Sequence, residues 1–297
     1  LELKIKKPII ILSFYTNNPT ELKKLINRGV VFPLYRIDQI KLLNNLGKQI
    51  NKKVKIHIKV DTGTSRIGFL PQNLIKVINL IKKSSNLEVE GIFSHFASSE
   101  NNLLFTKKQY ATFISALNII QKKGYNPKIK HMACTAASLA FDFKELNAIR
   151  LGLGLYGLYP EKKFIRQIKL LPALSWKTKI IQIKELPAGV GIGYGSSYHL
   201  KKAAKIAILP VGYWDGYVRS FSNKAKVLIK NKLYPVRGKI CMNLTMVEIP
   251  RNSKIKVGEE VILLGKGLEA EKLANWSQTI NYEVVTKINP LLPRIKK

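Results

Sequence analysis

Two rhythms in the 297-residue sequence predict an α/β protein in two parts: a (β/α)8 barrel, here short of its first two units, followed by an antiparallel β domain. From residue 8 to about residue 157, short apolar runs alternate with longer segments of helical spacing. After Pro160, apolar and polar residues alternate within short runs separated by turn residues. The boundary is expected between residues 160 and 161, giving parts 1–160 and 161–297.

In the first part the strand candidates are PIIILSF, VVFPLY, KVKIHIKVDTG, LEVEGIFSHF, KIKHMACTA and AIRLGLGLYG. Their nearly continuous apolar character suits strands covered on both faces, as in a parallel sheet or barrel. Helices between them follow from period: Leu74, Val77, Ile78 and Ile81 fall at i, i+3, i+4 and i+7, and Tyr110, Phe113, Ile114 and Leu117 repeat the pattern. Six strand-helix units are two short of a closed barrel, whose usual length is about 250 residues. The chain also opens on Leu1 with no initiator methionine, so two further units are expected upstream. An open, doubly wound sheet of six strands explains the same count.

In the second part, ALSWKTKIIQIKEL, AKIAILPVGY, KVLIKNKLYPVRG, ICMNLTMVEIP and KIKVGEEVILLG read as antiparallel strands, the last broken by a turn at Gly258. One helix is expected around Glu271 to Asn275, after which NYEVVTKIN reads as strand again.

Composition narrows the function. A hydrophobic content of 46% supports a full core, and no run approaches the roughly 18 apolar residues of a membrane span. A cytoplasmic protein is expected. Cys134 and Cys241 stand far apart and outside any Cys/His cluster, so neither a disulfide framework nor a metal site is indicated. The 51 Lys and Arg against 18 Asp and Glu give a net charge of +33. Those lysines are scattered through every predicted helix and turn, which fits a solvated basic surface better than a nucleic-acid or other polyanion site.

Four polar clusters fall at the C-terminal ends of predicted strands, the active-site face of a barrel. HIKVDTGTSRIG brings Lys59, Asp61 and Arg66 around a small-residue loop. FSHFA sets His95 between aromatic residues. HMACTAAS leads Thr135 and Ser138 into a helix start, able to receive a phosphate on backbone N–H groups or to act as a plain cap. NAIRLGLGLYG places Arg150 among glycines, where a buried guanidinium needs partners. A structural ion pair would answer that need as well as a ligand. Together the four clusters offer a phosphate cradle, an imidazole and two arginines, which a phosphorylated heterocyclic cofactor would use in full. GIGYGSSY adds Tyr194 in a glycine-flanked turn.

HIKVDTGTSRIG, EGIFSHFASSE, IRLGLGLYGL, GIGYGSSY, PVGYWDGYVR, GKICMN and INYEV, in this order and at these separations, resemble the alanine racemases, fold-type III pyridoxal-phosphate enzymes. The resemblance runs from about Pro8 to Arg294. It implies an N-terminal (β/α)8 barrel, a C-terminal β domain, the cofactor pyridoxal 5'-phosphate and a homodimer that supplies D-alanine for peptidoglycan. It also implies residue roles. Arg150 would hydrogen-bond the cofactor's pyridine nitrogen, and His95 would sit beside the ring. Thr135, Gly152, Leu153 and Tyr282 would hold the phosphate. Arg66 would bind the substrate carboxylate, with Lys59, carbamylated in some members, fixing its orientation. Tyr194 would be an acid/base reaching the other subunit's site, Met242 would lie beside the substrate carboxylate and Tyr213 would line the access passage. The other base of the family, the lysine that carries the cofactor, has no matching motif here, so the 297 residues alone are expected to be inactive. Cys134 stands where asparagine is usual, Thr135 where serine is common, and Lys239 and Asn243 replace an arginine and an aspartate. A broader-range racemase, another fold-type III enzyme, a truncated non-catalytic protein and a polyanion-binding protein are the alternative readings.

Overall fold

A computed structural model describes residues 5–296. The chain divides into two units, one running to Gly152 and including Pro160–Gln167, the other comprising Leu153–Tyr159 and Ile168–Lys297.

The first unit is built on five parallel strands, β1 (Phe32–Leu34), β2 (Val54–Lys59), β3 (Leu87–Phe93), β4 (Ile129–Cys134) and β5 (Ala148–Arg150). They lie side by side in the order β1-β2-β3-β4-β5. A doubly wound sheet would reverse direction at a switch point; this order never does, and it is the succession found along the arc of a barrel. Helices α1 (Pro19–Asn27), α2 (Ile37–Gln49), α3 (Leu74–Lys82), α4 (Leu103–Lys122) and the short α5 (Thr135–Ala140) alternate with the strands. Sequence chemistry starts them: Asn18 accepts the backbone N–H of Thr20 at 3.0 Å to open α1, and Asn102 accepts that of Phe105 at 2.9 Å to open α4. The predicted apolar stripes face inward. Leu74, Val77, Ile78, Ile81, Phe113 and Leu117 are buried, with Tyr110 and Ile114 packed on the same core.

Two strand expectations contract. PIIILSF contributes one bridge, Ile10 to Val31, because its Leu12 and Phe14 side chains are exposed and the backbone pairing to the neighbouring strand stops after Ile11. AIRLGLGLYG is strand only through Arg150, after which Leu153–Tyr156 form a 3₁₀ turn.

The second unit carries seven antiparallel strands: β6 (Trp176–Lys179), β7 (Gln182–Leu186), β8 (Ala204–Leu209), β9 (Lys226–Ile229), β10 (Lys232–Pro235), β11 (Thr245–Pro250) and β12 (Glu260–Leu264). They form sheets ordered β10-β9-β12-β6 and β11-β8-β7. Gly258 turns at φ 87°, but the Lys254–Val257 stretch before it is not strand. Helix α6 (Ala270–Ser277) matches the expected helix. The strand expected at NYEVVTKIN is instead α7 (Asn281–Thr286). Its β-branched run misleads because burial falls at Asn281 and Val284, three residues apart. The Asn281 amide donates to Tyr159 O and Glu271 Oε1, both at 2.8 Å, which fixes the first turn.

Truncating Ile78, fully buried on α3, to alanine should cost about 2–5 kcal/mol, read from urea unfolding of the two proteins.

Candidate active site

The strand ends of the first unit gather its polar residues. At the end of β2, Lys59 is buried with its Nζ 3.4 Å from Leu12 O and 5.1 Å from the Phe93 ring centre. Burial, then the charges of Arg66 and Arg150, pull its pKa down to about 8 against the opposing pull of Asp61. Asp61 organises the loop that follows. Its Oδ1 accepts the backbone N–H groups of Gly63, Thr64 and Ser65 at 2.9, 3.0 and 3.2 Å, and its Oδ2 accepts that of Arg66 at 2.9 Å. Burial by itself would raise the Asp61 carboxyl, but the four N–H groups together outweigh it and hold the acid below its ordinary range. The loop closes on Gly68, at φ 141°, where a Cβ would lie 2.6 Å from Asp61 N. The Arg66 side chain is left exposed, with no ion pair among the described residues.

Arg150, at the end of β5, finds partners but no carboxylate. Its Nη1 donates to His131 Nδ1 at 2.6 Å, and its Nη2 to Ser94 O at 2.7 Å, His95 Nδ1 at 2.9 Å and Met132 O at 3.0 Å. Its Nε–H makes no hydrogen bond among the described residues. The guanidinium lies 5.7 Å from the Phe93 ring centre, and burial lowers its pKa to about 10. His95 is driven to about 4, by burial first and then by Arg150, Arg66 and Lys59. His131, buried and stacked on Phe93 at 4.7 Å, falls to about 2 by burial and then the Arg150 charge. Both imidazoles are therefore neutral near pH 7.

Beyond β4, Thr135 opens α5 with no side-chain cap; its Oγ1 accepts the backbone N–H of Gly152 at 3.2 Å. A Cβ at Gly152 would meet nothing within 4 Å, so open space lies over that peptide. Lys59, His95, Thr135, Arg150 and Gly152 are thus brought to one set of strand ends, with Arg66 on the adjoining loop.

The remaining expected residues belong to the second unit. Tyr194 stands on a 3₁₀ turn between Gly193 (φ 70°) and Gly195 (φ 67°), 70% exposed. Asn223 steadies this turn's return, donating to Ser197 O at 3.2 Å while accepting Gly238 N–H at 2.7 Å. Tyr213 and Met242, both exposed, ride on loops tied together by Tyr213 N–H to Cys241 O and Trp214 N–H to Met242 O, each 3.0 Å. Tyr282 is exposed at the start of α7, and Leu153 is buried in its 3₁₀ turn.

Sequence reading overlooked His57 and His131: of the chain's four histidines, His95 and His131 bond Arg150 directly and His57 bonds His131 behind it. The available signal was a polar residue within an otherwise apolar, doubly covered strand.

A parallel strand-end cluster of cations and neutral imidazoles, followed in sequence by an antiparallel β domain, defines a two-domain, barrel-type α/β protein. Residues 2–160 match the family described as Alanine racemase, N-terminal domain, and residues 173–296 match Alanine racemase, C-terminal domain. The alanine racemase of Halothermothrix orenii is 37% identical over 281 residues, covering 93% of this chain and 74% of the relative. That of Methylacidiphilum infernorum is 42% identical over 283 residues, covering 93% and 70%. Among solved structures, alanine racemase of Clostridium difficile 630 superposes with TM-score 0.90 at 35% identity, over 97% of this chain and 76% of that one. The Bacillus anthracis alanine racemase, solved with bound L-Ala-P, gives TM-score 0.89 at 31% identity, over 97% and 75%. The chain belongs to the alanine racemase family. Among the described residues, no helix is long and apolar enough to cross a membrane.

The Asp61 loop carries a pH-dependent prediction. A carboxyl held below its unfolded value adds stability above the unfolded pKa of about 3.9 and loses it as pH falls through the folded value. Asp61→Asn should therefore destabilise the protein at pH 7, and the gap in thermal midpoint from wild type should shrink below pH 4.

Proposed function

We propose that this protein interconverts L-alanine and D-alanine by two-base transfer of the α-proton, with pyridoxal 5'-phosphate as cofactor. The observation that carries this reading is Arg150: a guanidinium donates and never accepts, and among the described residues its Nε–H has no protein partner. It therefore suits an unprotonated ring nitrogen. The open space over Gly152, beside the Thr135 hydroxyl, suits the phosphate of the same molecule. The residues present fit the cofactor. When bound, pyridoxal phosphate supplies an electron sink that acidifies the α-proton of the amino acid joined to it.

Arg150 holds the ring nitrogen without giving it a proton, so electron withdrawal stays modest and side reactions are disfavoured. His95, neutral, flanks the ring without adding charge. Thr135 and Gly152 hold the phosphate; the same role for Leu153 and Tyr282 rests on the family match alone. Arg66 binds the substrate carboxylate, oriented by Lys59 in a carbamylated, anionic form, since the free ammonium would repel the guanidinium. The family match and the glycine-flanked exposure of Tyr194 support its role in moving a proton at the substrate Cα, in the site of the partner subunit of a homodimer. Met242 lies beside the substrate carboxylate and Tyr213 lines the access passage. The reaction takes place in the cytoplasm and provides D-alanine for peptidoglycan.

Chiral chromatography of L-alanine incubated with the complete polypeptide and pyridoxal phosphate tests the activity. D-alanine should accumulate, and Tyr194→Phe should lower kcat by about 10²–10⁴-fold while cofactor absorbance on the protein is retained. A fully active Tyr194→Phe variant removes that residue from the mechanism; equal turnover of other amino acids widens the substrate range.

A further inference from the structure

Among the described residues Arg150 has no carboxylate partner, yet a chain of side chains leads from it to one. Because an arginine carries only donors, His131 Nδ1, 2.6 Å from Arg150 Nη1, must be the unprotonated nitrogen of its ring. Neutral His131 then carries its proton on Nε2, which points at His57 Nδ1 at 2.9 Å. That nitrogen must accept in turn, so the His57 proton sits on Nε2, facing Glu90 Oε2 at 3.4 Å. This last step is a charge–dipole contact between the carboxylate and the neutral ring's N–H, and not an aligned hydrogen bond. Every donor along the path points away from Arg150 and toward the acid. The path is fixed by the identity of its first member.

The strands are built to make this path. Along β2 and β3, Ile56 pairs with Val89 but His57 pairs with Gly91, so Glu90 is an extra, bulged residue beside the imidazole. Gly91 is required beneath the ring, since a Cβ there would lie 2.6 Å from His57 Cε1 and Nε2. A second irregularity, between β4 and β5, seats His131 and Arg150 in reach of each other. Both imidazoles are buried, where hydrogen-bond polarisation is least damped by water. At the far end Lys55 Nζ holds Glu90 Oε1 at 2.7 Å and offsets part of its charge.

We propose that Glu90, His57 and His131 form a positioning relay in which Glu90 is the remote counter-charge of Arg150, its strength set by the Glu90–Lys55 pair. A carboxylate facing His57 Nε2–H makes His57 Nδ1 a better acceptor, which makes His131 Nδ1 a better acceptor, which tightens its hold on Arg150. The consequence for chemistry rests on the reading that Arg150 faces the cofactor's ring nitrogen. There, a more firmly held guanidinium donates less strongly to the ring.

Nitrogen-15 spectra of the histidine side chains in the ligand-free protein test the relay without the cofactor. Both His57 and His131 should be neutral with the proton on Nε2. Glu90→Gln should move the His131 Nδ1 resonance toward that of a free pyridine-type nitrogen, and Lys55→Met should move it the opposite way, although neither residue touches His131. A proton on His131 Nδ1, or variants that shift His57 and leave His131 fixed, would overturn the relay. Adding pyridoxal phosphate then reads the other premise. If the Arg150 Nε–H resonance ignores it while the relay shifts persist, the relay stands and the cofactor reading fails.

Discussion

The first unit is arranged around one constraint: a guanidinium that can only donate has been placed where water is scarce. Desolvating a cation is costly unless its N–H groups find acceptors. Arg150 is answered by two backbone carbonyls, Ser94 O and Met132 O, and by two imidazoles held in their accepting form. The carbonyls come from the ends of β3 and β4, so the arginine also ties those strand ends to β5. Replacing either imidazole by a donor would leave two N–H groups facing each other. The low pKa values of His95 and His131 are the same statement in another form: burial first, and then the Arg150 charge, oppose a second proton on either ring.

Strand order explains why these groups meet. In a parallel sheet of sequential order every strand delivers its C-terminal end to the same edge. Lys59, Ser94 with His95, Thr135 and Arg150 all occupy that edge, although they are spread over some ninety residues of sequence. The two register irregularities refine this placement. One thrusts Glu90 against His57, and the other adjusts β4 against the short β5. Bulges of this kind re-aim side chains without changing the topology.

What could be read in the sequence follows from the same physics. Helices α3 and α4 were legible because burial of one face imposes a 3.6-residue period that composition records directly. The strand ends were legible because charged and glycine residues interrupt apolar runs there. Tyr194 was legible as a turn residue because Gly193 and Gly195 adopt positive φ. The helix at Asn281–Thr286 was not, because six residues are too few for period to overrule a β-branched run, and its first turn is fixed by Asn281 bonding to residues far away in sequence. Bulges leave no periodic mark, so the encounters of Glu90 with His57 and of His131 with Arg150 were invisible. Polarity within a covered strand betrays that His57 and His131 need partners, but not which.

The concentration of positive charge at the strand ends argues for the kind of ligand the site accepts. Lys59 is depressed to about 8 by burial and then by Arg66 and Arg150, so these cations repel one another across a space where, among the described residues, Asp61 is the acid that pulls the other way. Asp61 cannot neutralise them well, because four backbone N–H groups already occupy its oxygens. The ligand-free site therefore stores unfavourable electrostatic energy that an anion relieves and a cation increases. A molecule bearing a phosphate at one end and a carboxylate at the other would relieve it at both. This is a reason, independent of family, for the site to favour an anionic ligand over a cationic or uncharged one.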